Sequence, residues 1–205
     1  MKLTVLVDNN TEIDQYYFGE PGVSYLIETE GRKILFDTGY SDIFIKNASK
    51  MGESLLDLDY VVLSHGHNDH TWGLAYLMDL YSKKKSINEK YKIPTLIAHS
   101  YIFLEKEFLG ENIGVNLSKE QLSINFNVKL TEQSIFLTDN LAFLGEIPRV
   151  NDFENKTPIG KYLKNGKRED DYVFDDSAIV FRGEKGLVVI TGCSHAGICN
   201  IVAEA

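Results

Sequence analysis

Short apolar runs alternate with polar turns along most of the chain, and this pattern predicts a mixed fold of strands and helices. The runs rich in Val, Ile, Leu, Tyr and Phe are predicted strands. They lie at Lys2–Val7, Val23–Glu28, Lys33–Phe36, Tyr60–Leu63, Pro94–Ala98, Leu122–Leu130, Ile135–Leu137 and Leu141–Phe143. Ser177–Phe181 and Leu187–Thr191 are predicted to pair as a hairpin across residues 182–186.

Two segments between the strands have helical spacing of their apolar residues. Ser41–Met51 and Gly73–Tyr81 are the predicted helices, and Ser100–Leu109 is predicted to be a short helix or a turn. The polar stretch Val150–Asp176 is interpreted as a solvated loop or as a loop that covers a substrate. Mixed strand and helix order predicts two packed sheets covered by helices.

A cluster of potential metal ligands follows the predicted strand Tyr60–Leu63. Residues 65–70 read His-Gly-His-Asn-Asp-His and include three of the five histidines of the chain. His65 and His67 are two positions apart, so in extended backbone their imidazoles point to the same side and can bind one ion. Asp69 and His70 follow once the chain turns. They offer an oxygen and a third imidazole to a second ion.

The chemistry of these ligands indicates the metal. Mixed nitrogen and oxygen ligation suits zinc, with iron and manganese as alternatives. Two such ions can share a hydroxide, which is a nucleophile at neutral pH. A histidine-rich surface loop without metal is the alternative interpretation.

Four motifs, in this order and spacing, resemble those of a known family. Residues 64–70, Ser-His-Gly-His-Asn-Asp-His, resemble the HxHxDH signature of the metallo-β-lactamase superfamily, and residues 34–39, Ile-Leu-Phe-Asp-Thr-Gly, resemble its upstream strand-turn motif. Residues 145–149, Gly-Glu-Ile-Pro-Arg, and 191–197, Thr-Gly-Cys-Ser-His-Ala-Gly, resemble one branch of that superfamily. The branch is that of the 7,8-dihydropterin-6-methyl-4-(β-D-ribofuranosyl)aminobenzene-5′-phosphate synthase-like proteins.

The resemblance implies a fold and its extent. The expected fold class is α/β, the αββα sandwich of the metallo-β-lactamases, with residues 1–205 forming a single domain. Members of the superfamily normally continue beyond the equivalent of Ala205, so we expect this domain to lack a C-terminal portion with a further strand and a metal-binding histidine. The superfamily also commonly has a histidine before the strand Ser177–Phe181. Here Asp175 or Asp176 is the alternative carboxylate ligand, unless both simply form a turn.

The resemblance also implies roles for individual residues. His195 is the expected third ligand of the ion held by His65 and His67. A bridging or metal-binding residue usually occupies the position of Cys193, which is therefore a thiolate ligand or a small packed residue. Asp37 is expected to orient the metal loop through hydrogen bonds.

Three residues outside the metal motif have less specific interpretations. Glu146 and Arg149 either contact substrate, where Arg149 suits a phosphate or carboxylate, or form a surface ion pair. His99 is interpreted as a structural histidine rather than a ligand.

The expected activity is that of a metal-dependent enzyme of hydrolase fold that contains two divalent ions. A metal-bound hydroxide or a Lewis-acid metal centre would act on a small, phosphorylated or pterin-like substrate, and Asp69 would steer the proton. A metal-binding sensor without turnover and a di-iron redox protein are the alternatives. Bound zinc together with esterase activity would favour the hydrolase over the sensor and the redox protein.

Composition narrows the partners and the location. The formal net charge of −9 disfavours a nucleic-acid groove, which requires a basic surface. No stretch approaches the roughly 20 apolar residues that span a bilayer, so a small-molecule substrate without a membrane partner is expected. Cys193 and Cys199 provide no disulfide framework and suit a reducing cytoplasm, with Cys199 expected in the core. The sequence does not determine an oligomeric state.

Overall fold

Strands and helices alternate along the chain in a computed structural model that describes residues 1–205. The elements, in chain order, are β1 Lys2–Val7, β2 Ser24–Thr29, β3 Arg32–Phe36, α1 Ile43–Lys50, β4 Tyr60–Val62, α2 Asn68–Thr71, α3 Gly73–Ser86, β5 Thr95–Ala98, β6 Glu105–Phe108, β7 Glu111–Asn112, α4 Lys119–Leu122, β8 Asn127–Leu130, β9 Ile135–Phe136, β10 Leu141–Phe143, β11 Lys161–Lys164, β12 Lys167–Asp170, β13 Ala178–Gly183, β14 Gly186–Thr191 and α5 Ile198–Glu204.

The chain divides into two compact units that interleave in sequence. The first unit comprises Met1–Leu63, Asn68–Ile97 and Asn116–Lys129. The second comprises Ser64–His67, Ala98–Val115 and Leu130–Ala205. That residues 1–205 act as a single domain stays a prediction.

The first unit is built on a six-stranded mixed sheet with the strand order β1-β2-β3-β4-β5-β8. The pairs β1–β2 and β2–β3 are antiparallel, whereas β3–β4 and β4–β5 are parallel. In the central strands β3 and β4, the consecutive residues Ile34, Leu35 and Phe36, and then Val61 and Val62, are all buried. Such uninterrupted apolar runs are typical of strands covered on both faces.

Two four-stranded sheets form the second unit. One has the order β14-β13-β10-β9, with β13 and β14 joined as the predicted hairpin. Its buried face shares an apolar cluster with α5, formed by Ala142, Leu144, Ile147, Ala178, Val180, Ala196 and Ile201. The other sheet has the order β12-β11-β6-β7. The structure thus has a third sheet in addition to the two that were predicted.

The additional sheet arises from segments that were predicted to have no strands. β6 lies in the stretch predicted as helix or turn, and the β11–β12 hairpin lies in the predicted polar loop. All four residues of β12 are exposed, so no apolar alternation indicated a strand there. A local signal was present nonetheless: Asn165 and Gly166 both have positive φ (51° and 75°), as a two-residue hairpin turn requires.

Two other boundaries differ from the prediction. α3 continues to Ser86 through three lysines, Lys83, Lys84 and Lys85. Without apolar residues in this last turn, the spacing of apolar residues could not predict where the helix ends. The predicted strand Leu122–Leu130 begins only at Asn127, since Ser118 caps the short helix α4 just before it. Elsewhere β1 and β10 match their predicted bounds.

No helix has the length and apolar character needed to cross a bilayer.

Candidate metal centre

Three imidazoles converge in the second unit. His65 and His67 lie on the loop that follows β4, and His195 lies between β14 and α5. One ring nitrogen from each of the three lies within 4.8 Å of the others. The ring centroids are 4.6 Å apart for His65 and His67, 4.7 Å for His65 and His195, and 4.9 Å for His67 and His195. The three rings meet edge to face.

The spacing of these nitrogens fits a bound metal ion. His65 Nε2 and His67 Nδ1 are 3.1 Å apart. A tetrahedral ion with zinc–nitrogen bonds of about 2.0–2.1 Å places two ligand nitrogens about 3.3 Å apart. Burial also fits, since His65 is fully buried and His67 is 6% exposed. His195, the third member, is partly buried. Neutral imidazoles are common metal ligands.

Hydrogen bonds orient the His65 ring. Its Nδ1 lies 2.9 Å from Ser64 Oγ and 3.8 Å from Asp176 Oδ1. When Nδ1 donates to Ser64 Oγ, the lone pair resides on Nε2, the nitrogen that faces His67. The other oxygen of Asp176, Oδ2, accepts a hydrogen bond of 2.7 Å from the Ala196 amide, directly after His195. Asp176 therefore joins the two segments that carry the three imidazoles.

The tandem aspartates are thus not a simple turn pair. Asp175 and Asp176 are both buried, and each accepts a hydrogen bond from a backbone amide next to one of the three histidines. Asp175 uses its two oxygens for Gly66 N–H and for Lys106. These contacts support the backbone beside the histidines, and direct ligation of a metal by either aspartate stays a prediction.

Asp69 and His70 lie in the first unit, on the short helix α2. His70 Nδ1 is 2.7 Å from Asp37 Oδ2, and His70 Nε2 is 3.4 Å from Asp69 Oδ2. The backbone of His70 is held as well, because its carbonyl accepts hydrogen bonds from both the amide and the hydroxyl of Thr38. The contact with Asp37 leaves Nε2, on the side of Asp69, as the nitrogen that can bind a metal.

His99 has the contacts of a structural histidine. It is fully buried, its Nδ1 accepts a hydrogen bond from the Tyr101 amide, and its Nε2 lies 3.4 Å from Glu146 Oε2. Burial lowers the pKa of His99, although Glu146 and Asp175 oppose this effect. Because Nδ1 accepts from Tyr101, Nε2 is the nitrogen on the side of Glu146, whose side chain is about half exposed.

Arg149 makes contacts that neither predicted alternative describes. Its guanidinium donates to the backbone carbonyls of Ile147 and Val173 and lies 5.1 Å from the centroid of the Phe174 ring. Burial lowers the pKa of Arg149, and the neighbouring carboxylates of Asp176, Glu146 and Asp175 oppose this shift. Arg149 therefore holds the turn that leads into the tandem aspartates.

Substitution of Arg149 by methionine is expected to lower the free energy of unfolding by about 2 kcal/mol, because two carbonyls lose a charged donor. Urea unfolding measures this change. Arg182→Met is the matched control, since Arg182 donates to Asn140 at an exposed position and its loss is expected to cost no more than about 0.5 kcal/mol. Equal stabilities of the two variants would contradict the structural role.

The polar segment that was predicted as a loop anchors the His195 region. Asn155 Nδ2 donates to the His195 carbonyl (2.8 Å), and Glu154 accepts from the amides of Cys199 and Asn200 at the start of α5. Gly197, with φ of 99°, allows this approach, because a Cβ there would lie 2.3 Å from the Glu154 carboxylate. Side chains of this segment thus fix the backbone from the His195 carbonyl to the start of α5.

Both cysteines are present as thiols at exposed positions. The prediction that Cys199 lies in the core was therefore wrong, because it occupies the solvent-facing side of α5. For Cys193, exposure excludes the alternative of a small packed residue. Its role as a thiolate ligand stays a prediction.

Sequence analysis did not find Lys106 and underestimated Asp176. Lys106 lies in a strand of alternating charge, Glu105-Lys106-Glu107, where a lysine is usually solvated. Asp176 was weighed only as a ligand or turn residue. The one local signal was the pairing of two aspartates directly before an apolar strand.

Comparisons with known proteins agree with this geometry. The family model described as the metallo-beta-lactamase superfamily matches residues 17–200. An uncharacterized protein of Methanocaldococcus jannaschii is 33% identical over 201 residues, which are 98% of this chain and 72% of that protein. The 7,8-dihydropterin-6-methyl-4-(beta-D-ribofuranosyl)-aminobenzene-5′-phosphate synthase of the same organism is 32% identical over 220 residues, which are 100% of this chain and 71% of the synthase.

A solved structure confirms the fold class. The crystal structure of a metal-dependent hydrolase of the beta-lactamase superfamily superposes with a TM-score of 0.78 at 30% identity. The match covers 98% of this chain and 69% of the hydrolase. The predicted mixed α/β fold of the metallo-β-lactamases and the resemblance seen in the motifs are therefore both confirmed.

Proposed function

The chain belongs to the metallo-β-lactamase superfamily, and from this premise we propose that it is a metal-dependent hydrolase. One observation carries the proposal: ring nitrogens of His65, His67 and His195 lie within 4.8 Å of one another. We propose that these three imidazoles hold one divalent ion and that Asp69 and His70 provide ligands to a second. Zinc suits this donor set, with iron and manganese as alternatives.

When bound, such ions supply Lewis acidity and make water a nucleophile at neutral pH. The residues of the chain have supporting tasks. Ser64 accepts a hydrogen bond from His65 Nδ1 and Asp37 accepts one from His70 Nδ1, so both rings present Nε2. Asp69 has the accessibility that a proton acceptor needs, since its side chain is 29% exposed while that of His70 is fully buried.

The proposed substrate is a small phosphorylated or pterin-like molecule. The support is the 32% identity to a synthase whose name contains both a dihydropterin and a phosphate. A small molecule is favoured over nucleic acid because the formal net charge is −9. We also propose a cytoplasmic location, because both cysteines are thiols, the form that a reducing compartment maintains.

Metal removal tests the proposal. Protein purified without chelator is expected to contain about two ions per chain by plasma mass spectrometry and to hydrolyse members of a panel of phosphate mono- and diesters and lactones. Dialysis against a chelator should lower the rate at least about 1000-fold, since the ions contribute several kcal/mol to catalysis. Zinc should restore it.

The other outcomes identify the competing functions. Full metal content without turnover on the panel would indicate a sensor, and bound iron with visible absorption would indicate a redox protein. Hydrolysis that survives chelation would contradict the metal-dependent mechanism.

A further inference from the structure

A fully buried lysine lies beneath the metal loop of the second unit. Lys106, on β6, is only 1% exposed. Its Nζ lies 2.6 Å from Asp175 Oδ1 and 3.1 Å from Asp171 Oδ2. Removing an ammonium group from water costs several kcal/mol unless carboxylates compensate. A lysine at this position therefore carries a desolvation cost that its two carboxylate partners must offset.

Asp175 connects this lysine to the metal loop. While Oδ1 accepts from Lys106, Oδ2 accepts a hydrogen bond of 2.8 Å from the amide of Gly66, the residue between His65 and His67. The direction of the Gly66 amide is coupled to the orientation of both neighbouring residues. The contact Lys106–Asp175–Gly66 thus reaches the backbone that carries two of the three imidazoles.

Close packing leaves the Gly66 amide little freedom. A Cβ at Gly66 would lie 2.7 Å from the Ile102 carbonyl, 3.0 Å from Asp175 Oδ2 and 3.4 Å from Lys106 Cε. The loop therefore rests directly on the ion pair. A change in the position of Asp175 cannot be absorbed by intervening side chains.

The charges on this pair agree with its geometry. Burial opposes ionisation of Lys106, but Asp175 and Asp171 hold its pKa above the ordinary value. Burial likewise opposes charge on Asp175, but the Lys106 ammonium holds the pKa of that carboxyl below its ordinary value. Burial raises the pKa of Asp171. The Lys106 ammonium thus favours the charged form of Asp175, the form whose hydrogen bond with Gly66 is charge-assisted.

We propose that Lys106 and Asp175 are positioning residues, which set the direction of the Gly66 amide and with it the spacing of the His65 and His67 rings for metal binding. The inference rests on the proposed metal centre and deepens it. A purely structural ion pair would stabilise the protein without changing its affinity for metal. The two roles therefore differ in a measurable way.

The test compares cobalt(II) affinity and stability in four full-length proteins: the unaltered chain, Lys106→Met, Asp175→Asn and the double variant. Affinity is measured by competition with a chromophoric chelator, and the visible absorption of bound cobalt reports its ligand geometry. Urea unfolding of the metal-free proteins reports stability. Lys161→Met is the control, because it removes a lysine from an exposed pair with Asp170 in the same unit.

Each single substitution is expected to lower cobalt affinity about 10- to 100-fold, the range seen when a residue that supports a ligand is lost, and to change the absorption spectrum. Asparagine presents one acceptor where Asp175 presents two, so it cannot serve both Gly66 and Lys106. Because Lys106 acts through Asp175, Lys106→Met should have little further effect on affinity in the Asp175→Asn background. Lys161→Met should match the unaltered protein.

Variants that lose stability but keep the affinity and spectrum of the unaltered chain would overturn the inference while leaving the metal centre intact. Additive losses of affinity in the double variant would overturn the coupling of Lys106 to Asp175. If Lys106→Met does not fold, the cobalt affinity and the absorption spectrum of Asp175→Asn alone test the inference. Absence of cobalt binding by the unaltered chain would overturn the proposed function and this inference together.

Discussion

Replacement of His195 by alanine is expected to abolish binding of the first metal ion and to lower hydrolysis at least about 1000-fold. The substitution removes one of three imidazoles whose nitrogens lie within 4.8 Å of one another. His65 and His67 alone would leave the ion with two protein ligands. The loss of affinity should therefore exceed the about 10- to 100-fold loss that follows removal of a residue that merely supports a ligand.

The measurement is metal content per chain after dialysis against metal-free buffer, together with the rate on the best substrate of the ester panel. His99→Asn is the matched control, because it removes a buried imidazole of the same unit that lies outside the cluster of three. The asparagine carbonyl can still accept the hydrogen bond that His99 Nδ1 accepts from Tyr101. A His195→Ala protein with undiminished metal and activity would show that His195 is not a ligand.

Substitution of Gly73 by alanine is expected to lower the free energy of unfolding by about 3 kcal/mol, the upper range for overpacking, or to prevent folding. A Cβ at this position would lie 2.0 Å from the Thr38 carbonyl oxygen, and the Gly73 amide already donates to Gly39. The obstacle is backbone, which cannot rotate away as a side chain does. The start of α3 and the turn after β3 would have to separate.

This separation would also disturb His70. Thr38 binds the carbonyl of His70 with two hydrogen bonds, and Asp37 binds its ring. Any Gly73→Ala protein that folds should therefore bind fewer than two ions per chain. Urea unfolding and metal content measure the two effects.

Gly31→Ala is the control for Gly73→Ala, because it replaces a glycine at a position where the new Cβ meets no clash. Gly31 has φ of 71° in the β2–β3 turn, and nothing lies within 4 Å of a Cβ there. Its substitution should cost only the left-handed conformation, about 1 kcal/mol. If Gly73→Ala were no less stable than Gly31→Ala, the close approach of the two backbones would not be the reason for glycine at position 73.

Much of the fold and of the candidate site was predictable because the information is local. The central strands β3 and β4 are continuous apolar runs and were found within a residue, and the bounds of β1 and β10 were predicted correctly. The histidines and Asp69 lie in one six-residue motif whose spacing already indicates metal binding. His195 was identified only through the resemblance of its motif, since a single histidine carries no pattern of its own.

The sequence by itself therefore determined the family, the main strands and the candidate metal ligands. Only the tertiary structure decided which residues support them. Asp176 lies 111 residues from His65 in the chain, and Lys106 and Asp175 are 69 residues apart. The exposed strand β12 likewise exists because β11 offers it hydrogen bonds. The periodicity of apolar residues depends only on neighbours in sequence. Ion pairs, hydrogen bonds to backbone amides and edge strands depend on groups that come together only when the chain has folded.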